Sequence, residues 1–158
     1  MNCSDVTVLP MEERHLDQAA ALERRCFSRP WSREMLAEEL THPFALYLAA
    51  QNGAGELMGY AGAHLAADEA AINNVATAPE FRRQGVAELL MRRLLALAAE
   101  RGAAHCYLEV RQSNEPAQAL YRKLGFRPLG LRKNYYDDPP EHAVIMGKEL
   151  TDDADPGN

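Results

Sequence analysis

The 158-residue chain is short of several residue types, and each shortage closes off a class of protein. It has three cysteines, Cys3, Cys26 and Cys106, with neither a CxxC pair nor a Cys/His ligand spacing. An odd, scattered set of this kind supports neither a disulfide framework nor a structural zinc site. The histidines His15, His42, His64, His105 and His142 fall in different segments without ligand spacing, so no metal is expected. No apolar run approaches the ~20 residues of a membrane span. The opening MNCSDVTVLP lacks the basic stretch and long apolar stretch of a secretory signal. A reducing cytoplasm, away from the membrane, is the expected setting. Lysine is scarce as well: Lys123, Lys133 and Lys148 are outnumbered by 14 arginines.

Apolar residues make up 47% and charged residues 25%, ordinary values for a globular protein. At ~150 residues per domain the length predicts one domain, placed at 1–150, and the polar TDDADPGN at 151–158 predicts a disordered acidic tail. The net charge of −6 disfavours a general nucleic-acid coat. The basic residues are nonetheless uneven, for Arg82, Arg83, Arg92, Arg93 and Arg101 crowd one segment against Glu80, Glu88 and Glu100.

Periodicity gives the order β-α-α-β-β-β-α-β-α-β-β. Val6–Leu9 is a strand stopped by Pro10, and two helices follow over His15–Cys26 and from Ser32 toward Pro43. Between them lies Phe27-Ser28-Arg29-Pro30-Trp31, with the chain's only Trp. Strands at 44–51 and 56–66 flank the hairpin signal Asn52-Gly53-Ala54-Gly55, and a third runs from Ala71 to Ala78. Gln84–Arg101 is the longest helix, with Val86, Leu89, Leu90, Leu94, Leu97 and Ala98 on one side and Gly102 at its end. His105–Arg111 alternates as a strand. Asn114–Leu124 is a helix stopped by Gly125, and strands at 126–132 and 142–148 finish the pattern. A hairpin early and a strand–helix–strand unit in the middle predict an α/β fold. Its sheet is mixed and mostly antiparallel, with one parallel crossover and helices on both faces.

The turn Pro79-Glu80-Phe81-Arg82-Arg83-Gln84-Gly85-Val86-Ala87 leads a strand into the longest helix. Free N–H groups and the positive end of a helix dipole suit a phosphate, Gly85 and Ala87 keep bulk away, and two guanidiniums flank the turn. The segment is neither GxGxxG nor a P-loop. On residue chemistry alone it is equally an ordinary helix start beside a solvated Arg pair.

Arg82, Gly85 and Ala87 occur at the spacing Arg/Gln-x-x-Gly-x-Gly/Ala, which resembles the acetyl-CoA motif of GCN5-related N-acetyltransferases. Asn74–Pro79 is similar to that family's central strand, and the likeness continues through LEVRQSNEPAQALYRKLGF and KNYYDDPPEHAVIM. Within the family the chain most resembles the RimI-like group, which acetylates the N-terminal alanine of a small-subunit ribosomal protein; Pro30-Trp31-Ser32 is similar too. The resemblance implies acetyl-CoA as cosubstrate. It implies a cofactor site formed by Val75, Ala76, Thr77, Arg82, Arg83, Gln84, Gly85, Val86, Ala87, Glu88, Asn114 and Tyr121. Ala87 departs from the commoner glycine by one methyl group.

Period-two alternation places Cys106, Leu108 and Val110 on one face of their strand and Glu109 on the other. Taken alone, Glu109 reads as a solvated strand carboxylate; by resemblance it is the general base. Tyr121 falls at helical spacing with Ala117, Leu120 and Leu124 and reads alone as a core aromatic; by resemblance it protonates the departing CoA thiolate. Asn114 is also a helix N-cap, with Pro116 tolerated in the first turn. Cys106 as an acyl-carrying nucleophile is disfavoured by its apolar face. Phe27, Trp31, Tyr135 and Tyr136 are candidate walls for the acceptor, by implication a protein or peptide N-terminus. An internal lysine, a small amine, or CoA binding without turnover are the alternatives.

Overall fold

A computed structural model describes residues 6–150; Cys3 and the expected tail at 151–158 lie outside them. The strands are β1 (Thr7–Pro10), β2 (Ala45–Gln51), β3 (Leu57–Ala66), β4 (Glu69–Thr77), β5 (His105–Arg111), β6 (Arg127–Asp137) and β7 (Pro140–Glu149). The α-helices are α1 (Leu16–Cys26), α2 (Arg33–Thr41), α3 (Val86–Glu100) and α4 (Glu115–Lys123). Their order is the one read from periodicity, with short 3-10 turns added at Glu13–His15 and Pro79–Phe81.

Local chemistry sets most of the boundaries. Ser32 caps α2 by accepting from the Met35 N–H at 3.1 Å, and Asn114 caps α4 by accepting from Ala117 at 3.2 Å. The Asn52 side chain accepts from Ala54 and Glu56 inside the β2–β3 turn. Pro10 belongs to β1 instead of stopping it, because β1 is an edge strand where a missing N–H costs no ladder bond. The last two strands run longer than expected. Between Arg132 and Tyr136 the register shifts, and Asn134 takes a positive φ of 54° while its N–H donates to His142 Nδ1. That irregularity breaks the period-two pattern by which a strand is recognised.

The seven strands form one sheet in the order β1-β2-β3-β4-β5-β7-β6, with β4–β5 as its parallel pair. β7 is inserted between β5 and β6. Leu57 to Ala63 of β3 are buried without a break, so helices cover both faces of the sheet. The buried arc of α3 is Val86, Leu90, Met91, Leu94, Leu95 and Ala98. This corrects the expected stripe, since Leu89 and Leu97 lie half-buried at its margin. No helix among the described residues is long and apolar enough to cross a membrane.

The fourth strand is irregular along both of its edges. It pairs with β5 only over Glu69–Ala71, opposite His105–Tyr107. From Ile72 to Thr77 it has no partner on that side, whereas β5 remains paired with β7 along its full length. A wedge therefore opens between the two central strands. On the other side of β4 the register with β3 shifts so that Asn73 is an extra residue, a bulge that turns its side chain out of the regular alternation.

Candidate active site

The wedge continues into a groove of about 660 Å³. One wall is the unpaired edge of β4, with Val75, Ala76 and Thr77, and the floor is the start of α3, with Arg82, Arg83, Gly85, Val86, Ala87 and Glu88. The opposite wall is α4, with Asn114 and Tyr121. The structure thus gathers along one groove all the residues expected at a cofactor site except Gln84. That side chain turns back, its amide donating to the Glu80 carbonyl at 3.3 Å.

The turn before α3 has the form of an anion cradle. Arg83 and Gly85 both take left-handed conformations, φ 65° and 79°, and α3 has no side-chain cap on its first N–H groups. Alternating handedness of this kind points successive N–H groups into one concavity. Glu88 in the first turn would oppose an anion, but Lys123 at 2.8 Å and Arg92 at 2.9 Å engage its carboxylate. These two cations, Lys123 first, hold it below the usual carboxylate range. The rim is fastened to α1. Arg25 pairs with Glu80 at 2.6 Å, and the Cys26 thiol donates to the Thr77 carbonyl at 3.6 Å.

At its inner end the groove shares Cys26, Phe27, Val75, Asn114, Ala117 and Tyr121 with a cavity of about 330 Å³. That cavity also contains Glu109, Arg111 and Asn73. Glu109 lies on the face of β5 opposite the buried Cys106, Leu108 and Val110, as the alternation required. It pairs with Arg132 of β6 at 3.3 Å. Tyr121 is buried, with its ring edge-on to Phe126, and burial followed by the charge of Tyr136 pushes its hydroxyl up to about 12. Tyr121 is therefore both a core aromatic and a wall of the cavity. Cys106 is fully buried and lines none of these spaces, which leaves an acyl-cysteine route without support.

Beyond Glu109 a third cavity of about 420 Å³ is walled by Trp31, His64, Ile72, Asn73, Tyr135 and Tyr136. Phe27 joins Tyr135 and Tyr136 in an adjoining recess. The four aromatics expected around an acceptor line two adjoining recesses that share Tyr135 and Tyr136, with Trp31 in one and Phe27 in the other. They come from the loop after α1 and from the end of β6 beside its loop into β7, about a hundred residues apart.

Arg111 secures one of those loops. It stacks over the Tyr136 ring at 4.2 Å, donates to the Pro139 and Asp138 carbonyls at 2.9 and 3.1 Å, and pairs with Glu141 at 3.2 Å. Ser28 donates to the Asp138 carbonyl, and Arg29 pairs with Asp137 at 3.1 Å, so the two loops clasp each other. Sequence reasoning missed this clasp, and it missed His64, whose ring meets Glu39 at 2.6 Å and stacks on His42 at 4.7 Å. The histidines are thus less scattered than their spacing implies, yet no metal-holding cluster occurs among the described residues. It missed Glu23 as well, for which a signal existed. With Leu16, Ala19 and Ala20 on the buried face of α1, position 23 is the next place on the same stripe.

Known proteins share this architecture. The ribosomal protein bS18-alanine N-acetyltransferase of Escherichia coli (strain K12) is 35% identical over 147 residues, covering 92% of this chain and 98% of its own. A Bacillus subtilis (strain 168) protein, named provisionally for the same activity, is 42% identical over 137 residues, 86% of this chain and 90% of its own. The crystal structure of the E. coli enzyme superposes with a TM-score of 0.84 at 33% identity, covering 92% of this chain and 94% of that one. An aminoglycoside 6'-N-acetyltransferase solved with coenzyme A shares the fold alone, at 18% identity and a TM-score of 0.79 over 91% of this chain and 97% of that one. The model of the Acetyltransferase (GNAT) family matches residues 16–126, and the chain belongs to that family.

Proposed function

We propose that the chain transfers the acetyl group of acetyl-CoA to the α-amino group of an N-terminal alanine of a ribosomal protein, by direct attack within a ternary complex. The observation that carries this reading is continuity. The groove and the aromatic-walled cavity share the space where Glu109 and Tyr121 sit, so two ligands entering from opposite ends meet between an acid–base pair. The names of the E. coli and B. subtilis relatives support the acceptor class.

The groove fits the proposed cosubstrate on its own chemistry. The two left-handed residues and uncapped α3 N–H groups suit a pyrophosphate. The unpaired β4 edge offers main-chain donors and acceptors to an extended amide arm. Acetyl-CoA supplies the activated acyl group as a thioester. Arg82, Arg83 and the N–H groups of Gly85 to Glu88 hold the phosphates, and Val75, Ala76 and Thr77 align the arm. Glu109 takes the proton from the acceptor nitrogen, directly or through one water. The demand on it is modest, because an α-amine titrates near 7.7–8.0 whereas a lysine lies about 2.5 units higher.

Two measurements test this. Peptides beginning with free alanine are expected to release CoA thiol, and peptides blocked at the N-terminus but carrying lysine are not; release with the lysine peptide alone would overturn the N-terminal assignment. Gly85→Val places a β-branched residue at φ 79°, a conformation costing ~1–2 kcal/mol for an L-residue. The KM for acetyl-CoA is expected to rise ~10-fold with kcat changed less than ~3-fold. An unaltered KM would remove the turn from the binding site.

A further inference from the structure

Glu23 is a carboxylate with 1% of its surface exposed, and no ion pair among the described residues includes it. Burying a carboxylate without a cation is costly unless neutral donors satisfy its oxygens. Here they do, and they come from three different segments. Oε1 accepts from the Trp31 main-chain N–H at 2.8 Å. Oε2 accepts from the Tyr60 hydroxyl of β3 and from the Asn74 amide of β4 at 3.4 Å. Asn74 also donates to the Tyr60 hydroxyl at 3.2 Å and accepts from the Tyr47 hydroxyl at 3.0 Å. The Tyr60 hydroxyl is pushed far above its ordinary range by burial and by the neighbouring Glu23 charge, which keeps it a donor.

The network reaches the lining of the third cavity at two places. Trp31 lines it directly, and Asn73, the chain neighbour of Asn74 at the β4 bulge, lines it as well. A carboxylate fits the task because it accepts at both oxygens and donates at neither, so no rotation of its neighbours satisfies the network equally well. We infer that Glu23 is a positioning residue for the acceptor: it sets the width of the acceptor cavity by pinning the Trp31 loop to the bulged segment of β4. It touches neither the groove nor the reacting atoms. The inference rests on the reading of this cavity as the acceptor site.

Trp31 is the only tryptophan in the chain, so its fluorescence reports the loop without any knowledge of the acceptor. In Glu23→Ala, acrylamide quenching of Trp31 is expected to rise ~2-fold and the KM for the alanine peptide ~10-fold. kcat and the Kd for CoA should stay within ~2-fold, the split that marks lost ground-state positioning. Tyr60→Phe damages the same buried network but leaves the Glu23–Trp31 bond, and it should keep wild-type quenching and peptide KM within ~2-fold. If Glu23→Ala does not fold, Glu23→Gln carries the test, because its amide sets a donor against a donor at one end of the network. The same split is then expected at ~3-fold in peptide KM. Unchanged Trp31 quenching in the folded variant overturns the inference, as does a joint fall of kcat, peptide affinity and CoA affinity. If the wild-type protein acetylates no alanine peptide, the acceptor reading fails by itself, and the quenching comparison still decides whether Glu23 holds the loop.

Discussion

Glu109→Gln is expected to lower kcat ~10²–10³-fold while leaving the Kd for CoA within ~2-fold, the range that loss of a general base commonly produces. The carboxamide preserves the shape of the side chain and its contact with Arg132, so the cavity should keep its form. What disappears is the ability to accept a proton as the amine nitrogen becomes bonded to carbon. CoA affinity should hold because Glu109 does not line the groove. Raising the pH should speed wild type and variant in parallel, since both need the neutral α-amine, whose fraction grows through its titration near 7.7–8.0. Steady-state kinetics with the alanine peptide and calorimetry with CoA measure both quantities. Wild-type kcat in the variant would remove Glu109 from the mechanism.

Tyr121→Phe is expected to lower kcat ~10–10²-fold, the worth of one hydrogen bond to a developing anion. The environment of Tyr121 refines the role that resemblance assigns to it. A hydroxyl pushed up to about 12 stays protonated through the neutral range. A phenol held above its ordinary range gives up its proton less readily than a thiol does, so complete transfer from Tyr121 to a thiolate is the disfavoured direction. Within the proposed mechanism Tyr121 then acts by donating a hydrogen bond from Oη toward the departing sulfur, with full protonation left to solvent. One consequence is testable in the wild-type protein. No basic limb belonging to Tyr121 should appear in kcat from about pH 8 to about pH 10. A limb near 10 that vanishes in Tyr121→Phe would show a more acidic hydroxyl and restore the proton-transfer role.

The two residues also differ in how far sequence could place them. Glu109 was legible in its strand, because period-two alternation needs only seven residues and the buried Cys106, Leu108 and Val110 fall where it put them. Tyr121 was legible as a helix-face aromatic, but its second life as a cavity wall depends on α4 standing across the wedge from β4. Asn114 shows both levels together: its capping bond is local, and its place beside the groove is not.

By itself the sequence determined the kinds and order of the elements, the caps at Ser32 and Asn114, and the glycine stops at Gly102 and Gly125. These features follow from helical and strand periods and from backbone sterics, which act over a few neighbouring residues. Tertiary structure alone decided the insertion of β7 between β5 and β6, the short β4–β5 pairing that opens the wedge, and the bulge at Asn73. It also decided the clasp around Arg111 and the burial of Glu23 among Trp31, Tyr60 and Asn74. The physical reason is the same in each case. Strand order, register and the satisfaction of a buried polar group are set by competition among partners far apart in the chain, and the winning pair leaves no periodic mark on either segment. The arginine-dense turn was visible from composition onward, but the groove it borders exists only where β4 parts from β5.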